Sequence, residues 1–130
     1  MKTVAANDFY ELAVDVSKNR MYMTLKGQWI KESDVSNWLD DLTSATGLMS
    51  PGWGCLVDSR NHGGMLLSDH FAAGQKMALD HKIGKVARVY TRESFAKLQI
   101  EEVGAGTGFN KYARVFATVE EAEAWLDQEG

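Results

Sequence analysis

The sequence predicts a single α/β domain: a mixed five-stranded sheet with four helices. Three observations predict it. Stretches of alternating apolar residues and stretches of helical spacing follow one another in the order β-β-α-β-α-β-α-β-α. The first two strands are joined by a short turn and should pair antiparallel, so the sheet is mixed. The chain has 130 residues and carries no repeat, linker or low-complexity run. That is the size of one domain, able to bury about two-thirds of its unfolded surface without a metal or disulfide.

Residues 1–8 read as a flexible arm and 9–130 as the domain. Tyr10, Leu12, Val14 and Val16 alternate with Phe9, Glu11, Ala13 and Asp15, which makes a first strand. Ser17-Lys18-Asn19-Arg20 is a turn, with Asn19 the residue suited to positive φ. Met21, Met23 and Leu25 mark the second strand, which Gly27 ends. Ser33 can cap a helix carrying Val35, Trp38, Leu39 and Leu42 at i, i+3, i+4 and i+7.

Trp53 to Asp58 is a buried central strand, followed by a polar loop to Gly64. A second helix runs from Ser68 to Asp80, with Gly74 letting it lie close against the sheet. Val86 to Tyr90 is a strand. Thr91 can cap a third helix that carries Phe95, Leu98 and Val103 and stops at Gly104. A last strand spans Tyr112 to Ala117. Thr118 with Glu121 forms a capping box for the final helix, with Ala122, Trp125 and Leu126 inward.

Composition removes several function classes. The net charge is -4, against a general nucleic-acid or anionic-membrane binder. Cys55 is the only cysteine, so no intrachain disulfide or cysteine zinc cluster forms. The start of the chain lacks the apolar run of a secretion signal, and no run reaches membrane-spanning length. The expectation is a cytoplasmic bacterial protein.

The chemistry-bearing stretch is Gly52 to His70, GWGCLVDSRNHGGMLLSDH. Asp58, Ser59, His62, Ser68 and His70 fall between a strand end and a helix start, where open α/β sheets keep their sites. Helix amides there favour an anion. The plainer reading makes Asp58 a turn cap, Ser68 an N-cap and the histidines solvated. Cys55 lies in an apolar run and reads as a small core residue. None of the histidine pairs has the i, i+4 spacing of a helical zinc site, so no metal or other cofactor is expected. Gly104-Ala105-Gly106-Thr107-Gly108 precedes a strand instead of opening a helix, so it is not a phosphate loop. Met21, Met23, Trp38 and Trp125 belong to the core pattern. Trp29, Trp53, Met49 and Met65 lie at element ends, free to line a pocket.

The tail ARVFATVEEAEAWLDQ, with Phe116, Glu120-Glu121-Ala122 and Trp125-Leu126, is similar to the SpoIIAA-like family of small bacterial proteins. The opening hairpin, the strand ending in Asp58 and the strand Lys85 to Tyr90 fit as well, over Phe9 to Gln128. The resemblance implies a fold related to STAS domains, which include anti-anti-sigma regulators, and to CRAL-TRIO lipid carriers. It also implies carriage of a non-polar molecule. STAS regulators carry a phosphorylatable Ser in an Asp-Ser-Ser-Gly motif between the central strand and the next helix. Asp58 matches the strand-ending aspartate. The Asp-Ser-Ser-Gly stretch has no match, and Ser68, then Ser59, are the candidates for the acceptor.

Three functions follow as expectations. The first is a non-enzymatic module binding a non-polar or amphipathic small molecule between helices and sheet. Phe71, Met77, Phe95 and Leu98 would be its walls, Trp53 and Met65 further lining, and Asp58, Ser59, His62, Ser68 and His70 its polar end. The second is a STAS-type regulatory module with a protein partner. The third is an enzyme using Asp58, His62 and His70. A homodimer through a strand edge or helix face is compatible with the pattern.

Overall fold

The computed structural model describes residues 1–65, 68–91 and 94–128, with the backbone alone at Ser68. In chain order the elements are β1 (Lys2–Ala6), β2 (Tyr10–Asp15), β3 (Arg20–Trp29), α1 (Trp38–Thr46) and β4 (Gly54–Met65). They continue with α2 (Ser68–Asp80), β5 (Lys85–Val89), α3 (Phe95–Thr107), β6 (Ala113–Phe116) and α4 (Val119–Leu126). Short 3-10 turns precede α1 and β6, at Glu32–Val35 and Phe109–Tyr112.

The six strands lie in sequence order, β1 to β6. The β1–β2 and β2–β3 pairs are antiparallel, and every later pair is parallel. The β2–β3 hairpin closes with Asp15 opposite Arg20, and Asn19 takes φ 53°, the conformation its short amide side chain tolerates. Among the described residues the sheet has six strands, not five, because the expected arm is an edge strand. Lys2 to Ala6 pair with Val14 to Glu11, and Val4 and Ala5 pack on the core. A run so short carries too little alternation to be read as a strand.

Period-2 alternation divides the strands between two cores. Leu12, Met21, Cys55, Val57 and Val86 face α1, α2 and α3 in one core, with Trp38, Leu42, Phe71 and Ile100 from the helices. Leu56, Ala87 and Val89 face α4 in the other, against Ala122 and Leu126. Arg20 is 4% exposed and ties β3 to α4 by bonds to Glu123 at 2.5 Å and Asp127 at 2.9 Å.

Helix boundaries differ from the expectation in three places. The first turn around Ser33 is 3-10, and α1 proper starts after Asn37, not after a Ser33 cap. Gly74 packs against α1, not the sheet: a Cβ there would lie 2.9 Å from Trp38 Nε1 and 3.1 Å from Leu42 Cδ2. Ser94, not Thr91, caps α3 by accepting from the Lys97 amide, and α3 runs through Gly104 and Gly106 to a left-handed Gly108. The final capping residue is as expected, with Thr118 accepting from the Glu121 amide.

Candidate functional site

The polar loop expected after Asp58 is strand. β4 continues to Met65, with Asn61, His62, Gly64 and Met65 opposite Lys26, Gly27, Gln28 and Trp29 of β3. Two irregularities in the pairing accommodate the glycines that read as turn formers. Gly27 takes φ 59° and Gly64 φ 138°, backbone conformations that side chains disfavour. β3 therefore continues past Gly27 to Trp29.

This extension scatters the expected polar cluster. Asp58 is clasped by Arg60, with Nε–Oδ1 at 2.9 Å and Nη2–Oδ2 at 2.7 Å. Burial pulls the Asp58 carboxyl upward, but the Arg60 guanidinium and amide outweigh it and hold the group below its ordinary value. Ser59 is 1% exposed with its hydroxyl unpartnered, so a kinase cannot reach it in the folded protein. His62 is buried edge-on to Trp29 at 5.9 Å between ring centroids. Its Nδ1 lies 3.4 Å from the Lys26 carbonyl, and burial lowers its pKa, so it is neutral at pH 7. His70 sits half-buried in the first turn of α2. The Ser68 side chain lies outside the described residues.

Among the described residues no hydrogen bond joins Asp58, His62 and His70, and no group of carboxylate, histidine or cysteine side chains could hold a metal ion. Cys55 is buried and its thiol is pushed up to about 12 by burial, against a downward pull from Arg88. A neutral buried thiol is a poor nucleophile.

The apolar lining divides as well. Trp53 sits at the opposite end of β4, its indole bonded to the His81 carbonyl at 3.0 Å. Trp29, Trp53 and Met65 are buried in the core, not free at element ends. Phe95 and Leu98, expected inside, are each 65% exposed. They lie at i and i+3 on the outer side of α3, whose inner side is Ala96, Ile100 and Gly104. The cavity between helices and sheet, lined in part by Trp53 and Phe71, holds only about 30 Å³. Pockets for small molecules start near ~300 Å³.

What the structure does assemble is an open groove of about 300 Å³ at the carboxyl ends of β3 and β4. Its floor is Gln28, Gly63, Gly64 and Met65, and its walls are Ile30, Phe95 and Gln99. β5 pairs with β4 only as far as Asp58, so among the described residues this part of β4 has no strand on its outer side. Gln99 takes the strand's place at one point. Its amide accepts from Met65 N at 2.8 Å and donates to Met65 O at 2.7 Å. Ile30 is 49% exposed and with Phe95 forms an apolar rim, which Leu98 extends one helical turn along α3. Of these residues, sequence pattern had singled out Met65, Phe95 and Leu98. Ile30, Gln28 and Gln99 carry no pattern signal, because a groove wall is defined across elements.

No protein-family model matches the sequence. No curated protein matches it. Solved structures do. An uncharacterised protein of the DUF3478 family with a SpoIIAA-like fold, from Shewanella loihica, superposes with TM-score 0.64 at 22% identity, over 94% of this chain and 97% of that one. The anti-sigma factor antagonist SpoIIAA in its unphosphorylated form gives 0.61 at 16% identity, over 90% and 95%. An anti-sigma factor antagonist from Mycobacterium paratuberculosis gives 0.56 at 15% identity, over 95% and 99%. The parallel β3–β6 sheet, the three helices on one face and these superpositions agree: the chain has a SpoIIAA-like fold.

Proposed function

We propose that this protein is a regulatory interaction module of the STAS type. Its partner is a protein of the anti-sigma class, and the groove at the carboxyl ends of β3 and β4 receives it. The observation that carries this reading is the apolar rim of Ile30 and Phe95, extended along α3 by Leu98, beside a strand edge that β5 leaves uncovered. An apolar patch beside a strand edge suits an extended or helical segment of a partner. Support comes also from two of the structural neighbours, both anti-sigma factor antagonists.

Ser68 opens α2 three residues beyond Met65 and is the phospho-acceptor in this reading. A phosphate at a helix start is favoured by the helix dipole and would add negative charge at the start of α2. Carriage of a non-polar molecule is the weaker reading. The core cavity of about 30 Å³ offers it no chamber of ligand size.

The test is affinity capture from the source cell with the wild-type chain and with a Phe95→Asp, Leu98→Asp double variant. Both positions are exposed, so the variant keeps the fold. The proposal expects an anti-sigma-class protein among the wild-type captures and its loss from the variant. Identical captures from both proteins would refute the assignment of the groove.

A further inference from the structure

We infer that the core cavity beneath α1 and α2 is a binding site for a single monatomic anion of the halide class, held by Arg88, Gln75 and Trp38. Arg88 is 2% exposed, in the middle of β5, between the inward-facing Val86 and Tyr90. Its Nη1 donates to Asn110 Oδ1 at 2.8 Å and its guanidinium lies over the Phe109 ring at 5.7 Å. Nη2 has no partner, and Arg88 forms no ion pair among the described residues. Tyr90, whose hydroxyl is buried, unpartnered and neutral, and Glu101 act on it only through space, and the neighbouring Cys55 thiol is neutral. A buried cation without a counter-charge is costly to hold.

Two other buried donors without partners belong to residues that line the same cavity. Gln75 Nε2 and Trp38 Nε1 belong to residues 5% and 1% exposed. The Gln75 carbonyl end is already used, accepting from Thr107 Oγ1 at 2.7 Å. Every lining residue is buried, and beyond these three the walls are almost entirely apolar, among them Met23, Leu42, Val57 and Ile100.

Among the described residues lining it, the cavity thus offers donors and positive charge, and no unpartnered side-chain oxygen. A water could accept from two donors, but its own protons would face hydrocarbon. A halide accepts from every donor and neutralises the guanidinium. About 30 Å³ suits one such ion. An oxyanion with four oxygens is too large.

The experiment uses the full chain in halide-free buffer. Thermal unfolding is followed while sodium bromide or sodium gluconate is added at matched ionic strength, for wild type, Trp38→Phe and Gln75→Leu. Crystals soaked in bromide are examined for an anomalous peak. The inference expects a saturable rise in Tm with bromide and none with gluconate, and a peak in the cavity. Each variant should need at least about tenfold more bromide, the loss of one hydrogen bond to a charged group. Superimposable bromide and gluconate curves, a bromide response unchanged in both variants, or an empty cavity in soaked crystals would overturn it.

Discussion

The side chain of Gln99 makes two hydrogen bonds to the backbone of Met65, accepting at 2.8 Å and donating at 2.7 Å. It stands where a neighbouring strand would pair, and so anchors α3 to the end of β4. Gln99→Leu keeps the volume and removes both bonds. The expected loss is about 2 kcal/mol, because the Met65 amide and carbonyl are left unpartnered beneath α3. Urea unfolding measures it, and hydrogen exchange should quicken at the Met65 amide more than in β5.

The glycines of α3 should respond in opposite directions. At Gly106 a Cβ meets nothing within 4 Å, so Gly106→Ala stabilises by up to about 1 kcal/mol through helix propensity. At Gly104 a Cβ would collide with the Asn110 side chain and approach Arg88 Nη2 at 3.0 Å. Gly104→Ala should cost about 1–3 kcal/mol as an overpacked core position. Chemical denaturation of the two variants gives the comparison.

The Arg20 ion pairs are unequal. The Glu123 side chain is 27% exposed and that of Asp127 56%, against 5% for Arg20. Removing the more buried partner leaves Arg20 under-compensated. Glu123→Gln should therefore cost about 1–2 kcal/mol, and Asp127→Asn no more than about 0.5 kcal/mol. Denaturation midpoints measured in one buffer test the order.

His62 should make stability depend on pH. Burial lowers its folded-state pKa below the ordinary 6.5, so the unfolded chain takes up the proton first as pH falls. Its contribution is complete above pH 6.5 and is lost as pH falls from there through the lowered folded value. The urea midpoint should drop between pH 7.5 and 5, and His62→Gln should flatten that part of the profile. An unchanged slope would place the proton uptake elsewhere.

Where the sequence was legible, one periodicity decided the answer. Leu12, Met21, Cys55 and Val86 alternate, and each is buried in the helix-covered core. Trp38 and Leu42 keep helical spacing and pack as their pattern indicates. The extension of β4 was illegible because Gly63 and Gly64 read as turn residues, whereas backbone pairing with β3 keeps them in the strand. The site moved for the same reason: alternation sends Asp58 and Ser59 to opposite faces, and after the register shift that follows Asp58, His62 packs on Trp29. Arg88 left a faint signal, a charge at an inward position between Val86 and Tyr90. Ile30, Phe95 and Gln99 meet only through tertiary packing, which no local pattern records.

The central claim is that the rim formed by Ile30, Phe95 and Leu98 receives a protein. Titration calorimetry of the captured partner against wild type and against the Phe95→Asp, Leu98→Asp variant tests it most directly. The account predicts that affinity falls at least about tenfold while the unfolding midpoint is unchanged, since losing a single interface hot spot costs more than that. Equal affinity for the two proteins would contradict it.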